Sequence, residues 1–477
     1  MRTRKLVTAA ALTALAAGGL LVPVAAAGPA AAEPSGQRDD FNGDGYTDVA
    51  IGVPEANGKA GAVVVTFGSA SGVSPSRSVR LTQDSAGVPG TAEPGDQFGE
   101  NVTSGDVNHD GYADLVVGAP HEKVDGKPDG SLSIVWGGAK GLTDGGVALV
   151  APTADDRNFG QGAAFSDLDG DGTAQLQVVS GRHFWWYPES TPKGDGSDVA
   201  LPLEDDFLPE DVQLDGVAAG RFAGTSTNDF VLYGKRGDGG GDYLATFRGG
   251  PGDIGYSHRV LSDGDTEARS VATGDINKDG MTDLVTGEPV SSGGAGSVTV
   301  RWGAPGGLDT GREPDIHDQN SPGVPGTGEN GDGFGADVSV RDVTGDGYAD
   351  IAVGVPTEVV RGSEAGAIVL LKGSASGVST SGAQTFHQET SRVPGIGEAG
   401  DRFGAGVHLA DIDKNGRADL FTAATGEDIG TVADAGAVWV LRGGSGGLTT
   451  HNITSFNGAD FGFTANAGLE FGEVFDH

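Results

Sequence analysis

An all-β ring, a seven-bladed β-propeller with four-stranded blades, is the fold class this sequence predicts. Three observations carry it. An acidic nonapeptide recurs seven times, each copy sits among the same strand-like apolar runs, and the final residues supply a piece that the first copy lacks. Of 477 residues, 86 are Gly and 37% are hydrophobic. That much Gly argues against helices, because Gly costs a helix interior about 1 kcal/mol relative to Ala. It suits short strands joined by turns.

Charge narrows the function classes. The net charge is −37, from 30 Lys and Arg against 67 Asp and Glu. Such acidity excludes nucleic-acid binding as a first expectation and favours cations or basic partners. There is no Cys, so no disulfide framework can hold the chain. Residues 1–32 read as a secretory leader, with Arg2, Arg4 and Lys5 ahead of the apolar run 6–27 and small residues at Ala25–Ala27 and Ala30–Ala32. An uncleaved anchor is the alternative. A short linker, 33–38, and a propeller over 39–477 complete the expected domain plan. No second run in the sequence is long enough to span a bilayer. The mature chain is expected to be secreted or cell-surface associated, and a monomer.

The repeat dictates the elements in order. "DFNGDGYTD" (40–48) recurs as "DVNHDGYAD" (106–114), "DLDGDGTAQ" (167–175), "DINKDGMTD" (275–283), "DVTGDGYAD" (342–350) and "DIDKNGRAD" (411–419), with a worn copy, "RFAGTSTND", at 221–229. Before the loop comes a Phe-Gly segment, as in "FGENVTSGD" (98–106) or "FGAGVHLAD" (403–411). After it comes an apolar run ending in Gly-x-Pro, such as "LVVGAP" (115–120). A third run with a Gly turn follows, such as "GAVVVTFGSASGV" (61–73), and then a variable fourth. Each unit is therefore about four strands. Four-stranded units of this size, repeated seven times, suggest radial blades rather than a solenoid. The first copy has no Phe-Gly strand before Asp40, while "TANAGLEFGE" (464–473) aligns with "TAEPGDQFGE" (91–100). Phe471–Gly472 is thus expected to form the inner strand of blade one and close the ring, which removes exposed edges.

Phe-Gly, the Asp loop and Gly-x-Pro in fixed order resemble the FG-GAP repeat family, the propeller head of integrin alpha chains and its secreted bacterial relatives. The resemblance covers the chain from about Asp40 to His477. It implies that the Asp loop joins the first two strands of each blade and binds calcium on one face, and that partners bind on the opposite face. Blades three and four depart from the pattern. Gln175 replaces a carboxylate, Arg221, Ala223 and Thr225 replace three ligands, and "VVSGRHF" replaces Gly-x-Pro.

The residue types fit calcium on their own account. Calcium takes six to eight oxygen ligands. Positions 1, 3, 5 and 9 supply them: Asp40, Asn42, Asp44 and Asp48 in loop one; Asp106, Asn108, Asp110 and Asp114 in loop two; Asp275, Asn277, Asp279 and Asp283 in loop five. Loop six offers Asp342, Thr344, Asp346 and Asp350, and loop seven Asp411, Asp413, Asn415 and Asp419. Backbone carbonyls at position 7 (Tyr46, Tyr112, Met281, Tyr348, Arg417) are further candidates. Loop three keeps Asp167, Asp169 and Asp171 as a weaker sixth site, and loop four is expected to be empty. About five Ca2+ ions result, with a structural role. An EF-hand is excluded, because position 12 is Ile51, Val117 or Thr286 rather than Glu. The competing view is that Asp-Gly loops are only good turns. Magnesium fits less well, since it keeps several waters.

A second repeated element, "QDSAGVPGTAEPGDQFG" (83–99), returns at 319–335 and 388–404, with a tail version at 457–472. These acidic turns lead into neighbouring blades and are read either as plain connections or as a partner surface on Glu93, Glu329 and Glu398. "HFWWYP" (183–188) is either a sugar-stacking patch or, the favoured reading, a strand with buried rings. "GGSGG" around Ser445 reads as a turn, not a nucleophile elbow, and no catalytic residue is assigned. The expected function is a non-catalytic, calcium-binding adhesion or binding module for an extracellular protein or glycan. A hydrolase, or a propeller associated with one, is the alternative.

Overall fold

The computed structural model describes residues 38–476 except 125–128, 144, 154–156, 188–200, 203–207, 238–241, 251–257, 264–267 and 465. The expected leader and residues 33–37 of the linker lie outside the described residues. Seven four-stranded antiparallel sheets follow one another along the chain. Blade two shows the plan: Asn101–Gly105, Asp114–Ala119, Ser131–Val135 and Gly146–Val150, paired in that order. The second strand is buried along its whole length in blades two, three, five, six and seven. A blade covered on both faces needs an unbroken apolar run rather than an alternating one. The inner strands touch in a full circle, each against the next and the last against the first.

The core lies between blades. One cluster joins Val63 and Val65 of blade one to Leu115 and Val117 of blade two, with Phe98 between them. Phe98 shows the work of the Phe-Gly motif. It precedes the inner strand, and its N–H donates to Ala60 O (3.3 Å) of the preceding blade. Phe159, Phe334, Phe403 and Phe471 make the same bond to Asp129, Ala295, Ala365 and Ala435. All five rings are fully buried. Each backbone lies against a Gly of the blade behind, at Gly61, Gly130, Gly296, Gly366 and Gly436, all with positive φ. A Cβ on Gly61 would meet Phe98 O at 2.1 Å, so only Gly fits there.

Ring closure corrects one expectation. The inner strand of blade one is Val474–Phe475, pairing with Gly52 and Ile51, and not Phe471–Gly472. Phe471 lies instead between the two blades, bonded to Ala435 of blade seven and in one cluster with Val438 and Val440 of blade seven and Ile51 and Val64 of blade one. The tail does fasten the ring, three residues later than the motif alone suggested.

Candidate functional site

Each Asp loop curls because its own oxygens hold its backbone. In loop one, Asp40 accepts the N–H of Asp44 (3.1 Å) and Gly45 (2.7 Å). Asn42 Oδ1 accepts Asp44 N–H (2.9 Å), and Asp44 Oδ1 accepts Tyr46 N–H (3.0 Å). Loop two repeats this with Asp106, Asn108 and Asp110. So does loop five with Asp275, Asn277 and Asp279, and Met281 as the last donor. In loop six Asp342 accepts from Gly345 and Gly347, Asp346 from Tyr348, and the Thr344 hydroxyl donates to Asp342 (3.3 Å). In loop seven Asp411 accepts from Asn415 and Gly416. Position 6 is Gly with positive φ, as the sequence implied. Position 4 also lies in the left-handed region, at Gly43, His109, Lys278, Gly345 and Lys414. That second bend had no sequence signal beyond a weak preference for Gly.

Position 9 does more than the sequence suggested. Asp48 is buried, and its two oxygens accept Phe41 N–H (3.0 Å) from the loop and Gly68 N–H (2.9 Å) from the end of the third strand. Asp114, Asp283 and Asp350 make the same pair of bonds, to Val107 and Gly137, Ile276 and Gly303, and Val343 and Gly373. This carboxylate braces the loop against the sheet. Burial pushes the Asp48 carboxyl up to about 8, against the pull of its backbone donors. It raises Asp114 and Asp283 to about 7 and Asp350 to about 6. In each of these four carboxylates the oxygen that meets the third strand accepts one N–H and, when ionised, keeps a lone pair beyond it. The donor set at positions 1, 3, 5 and 9 therefore fits a hard cation.

Three loops differ. In loop seven the Arg442 guanidinium lies 2.9 Å from Asp419 and 3.6 Å from Asp413. Arg417 reaches sideways to Thr344 O of loop six (3.2 Å). In loop four Arg248 pairs with Asp229 at 2.9 Å. In loop three Gln175 Oε1 takes over the brace to Leu168 N–H (3.1 Å), while its Nε2 donates to Asp169 (3.0 Å). There Asp167, Asp169 and Asp171 each place an oxygen within 4.8 Å of the others.

The acidic turns sit at the opposite end of the inner strands, since each turn leads into a strand and each loop leads out of it. Glu93, Glu329 and Glu398 are exposed. Their N–H groups donate to Asp96, Asp332 and Asp401 (2.7, 2.6 and 2.7 Å). The aromatic stretch is not a surface patch: Phe184, Trp185, Trp186 and Tyr187 are buried in the strand His183–Tyr187. Pro188 lies outside the described residues. Ser445 sits in the hairpin between Ala437–Gly444 and Gly447–Asn457.

Fold and loops together define a propeller built from Asp-loop repeats. Residues 36–66, 98–135, 268–300, 334–371 and 403–441 match the FG-GAP repeat, and the chain is an FG-GAP repeat protein with an integrin-alpha-like seven-bladed propeller. The matched segments are blades one, two, five, six and seven, those with full loops. Among its relatives, Integrin alpha-PS5 of Drosophila melanogaster is 34% identical over 152 residues, which is 29% of this chain and 14% of the integrin. Phosphatidylinositol-glycan-specific phospholipase D of Rattus norvegicus is 29% identical over 147 residues, 30% of this chain and 17% of the phospholipase. The matches thus span less than a fifth of either relative. A solved structure describing recognition of non-reducing terminal N-acetylglucosamine by an Agrocybe aegerita lectin overlaps 73% of this chain and 83% of its own, at 17% identity and a TM-score of 0.37.

Proposed function

We propose that the protein is a secreted, calcium-stabilised propeller that binds an extracellular protein or glycan without catalysing a reaction. The observation that carries this reading is the set of five loops with one geometry, all at the same end of the inner strands of a closed ring. Calcium in loops one, two, five and six would take oxygens from positions 1, 3, 5 and 9 and the position 7 carbonyl. Loop three is a further candidate, and loop seven binds in competition with Arg442. Partner binding is assigned to the other end, around Glu93, Glu329 and Glu398. The likeness to integrin alpha-PS5 supports a binding role.

Calorimetry with calcium and then with chelator tests the metal half. An ion at a hundred times its Kd stabilises by about 2.7 kcal/mol per site, so chelation should lower Tm by many degrees. An unchanged Tm would sink it. Binding to a glycan array and to the producing cell's surface, compared with the variant in which all three glutamates become Ala, tests the partner half. Equal binding by both removes that surface. The likeness to the phospholipase motivates a second reading, a hydrolase-associated propeller. Turnover of an ester, phosphodiester or glycoside substrate would favour it.

A further inference from the structure

Three of the four inter-blade turns carry the same set of polar side chains at the same offsets. Gln83, Glu93 and Asp96 come from the first turn, and Glu122 from the loop after the second strand of the following blade. Gln319, Glu329, Asp332 and Glu358, then Gln388, Glu398, Asp401 and Glu427, repeat them 10, 13 and 39 residues after each Gln. The last residue of each set is distant in sequence and adjacent in space. The Gln side chains donate from Nε2 to Glu122 (2.5 Å), Glu358 (2.6 Å) and Glu427 (2.5 Å). Asp96, Asp332 and Asp401 are almost fully buried beside them. Glu93, Asp96 and Glu122 each place one carboxylate oxygen within 4.8 Å of the others.

The glutamines give the independent sign. Gln83, Gln319 and Gln388 are 3%, 4% and 2% exposed. In all three the carbonyl oxygen Oε1 is buried with no hydrogen-bond partner. Nε2 of Gln388 also donates to Asp401, which sets the amide against the acidic group. A Cβ on Gly397, beside Glu398, would lie 3.8 Å from Gln388 Oε1. A buried acceptor left unmatched is destabilising, and here the omission recurs three times. Lys123 offers a positive charge near Asp96, but its counterparts are Val359 and Asp428.

The fourth turn is an internal control. Aligned on Phe471–Gly472, it has Phe456 in place of the Gln, Asn466 in place of the Glu and Leu469 in place of the Asp. Phe456 and Leu469 are buried in one apolar cluster with Phe461, Phe463 and Phe471. The turn therefore forms without acids, and where they are missing carbon fills the space.

We propose that the three acidic turns are a second class of metal site, each holding one divalent cation between a turn and the next blade. The ligands are the Gln carbonyl oxygen, the turn Glu, the buried Asp and the Glu after the second strand. All are hard oxygens, which selects calcium or magnesium over softer metals. Oxygens on opposite sides of a calcium ion are about 4.8 Å apart, twice the usual bond length, the span seen for Glu93, Asp96 and Glu122. These ions are distinct from those of the Asp loops and do not depend on a partner.

The test is calcium stoichiometry by equilibrium dialysis on the full chain. Asp96→Asn, Asp332→Asn and Asp401→Asn combined keep the acceptor for the Glu N–H but remove charge. This variant should bind three fewer calcium ions than the unmodified protein. A separate variant with Asp44→Asn, Asp110→Asn, Asp279→Asn and Asp346→Asn should lose the loop ions and keep these three, so failure of the loop reading is told apart from failure of this one. Glu122→Gln, Glu358→Gln and Glu427→Gln combined serves if the first variant does not fold. Anomalous diffraction from terbium-soaked crystals of the unmodified protein should place peaks at the turns. Equal stoichiometry in the turn variants, or no peak at any turn, would overturn the proposal.

Discussion

Arg442 shows how one side chain can stand in for an ion. Asp419 is fully buried, and the guanidinium answers its charge along with that of Asp413. Breaking a buried pair from one side costs about 3–5 kcal/mol. Arg442→Gln should therefore destabilise the chelated protein by that order, while calcium should recover much of the loss. Melting curves of the variant with and without calcium check this. If calcium protects the variant no better than the unmodified protein, loop seven does not bind it. Gln175 does a related job in loop three, bracing the backbone with one end of its amide and meeting Asp169 with the other. Read as a string, Gln175 was only a missing ligand. Its neutral amide is a substitution of role, visible once the loop is folded.

Loops and latches differ in how much of them could be read beforehand. The Asp loops were legible because their residues are contiguous and the 1, 3, 5, 6, 9 spacing recurs. The brace at position 9 was not, because its partners, Gly68 and its equivalents, lie some 20 residues away at the end of another strand. The Phe-Gly motif was read as part of the inner strand, and its Gly does bond the second strand of its own blade, Gly99 N–H to Gly118 O (2.9 Å), but the Phe N–H runs to the preceding blade. Phe403 makes that role testable. It is fully buried, stacks edge-on against Trp439 at 5.2 Å and bonds to Ala365. Phe403→Ala should cost about 3–5 kcal/mol, seen as a fall in the urea midpoint. A loss below 1 kcal/mol would mean that the blades hold together without it. The acidic sets at 83, 319 and 388 were half visible: the turns repeat openly, but Glu122, Glu358 and Glu427 declare themselves only through the constant offset of 39.

For the ring taken together, the buried loop carboxyls set a pH response. Asp48, Asp114, Asp283, Asp350 and Asp419 all have carboxyls raised by burial, to between about 6 and 8, above the ordinary value of 3.8. The folded state then holds more protons than the unfolded one between about pH 4 and 8, so stability falls as pH rises through that window. In chelator, Tm should climb as the pH is lowered from 8 to 5. Calcium should flatten the slope by binding the ionised loops. A Tm that instead drops on acidification in chelator would show that these carboxylates are held charged by the fold. The seven-blade count and the closing of the ring were both legible in the sequence. Only the residue that closes it was displaced, because the Phe471 N–H is taken by Ala435 of blade seven, as each such Phe bonds the blade before it.

That closure has a mechanical corollary. Val474 and Phe475 pair with Gly52 and Ile51 over two residues, and Asp476 N–H adds one bond to Ala50 O. Tension applied between the two ends of the chain would load this short seam before any other. Blade one should therefore peel open first, leaving its neighbours standing as an incomplete wheel.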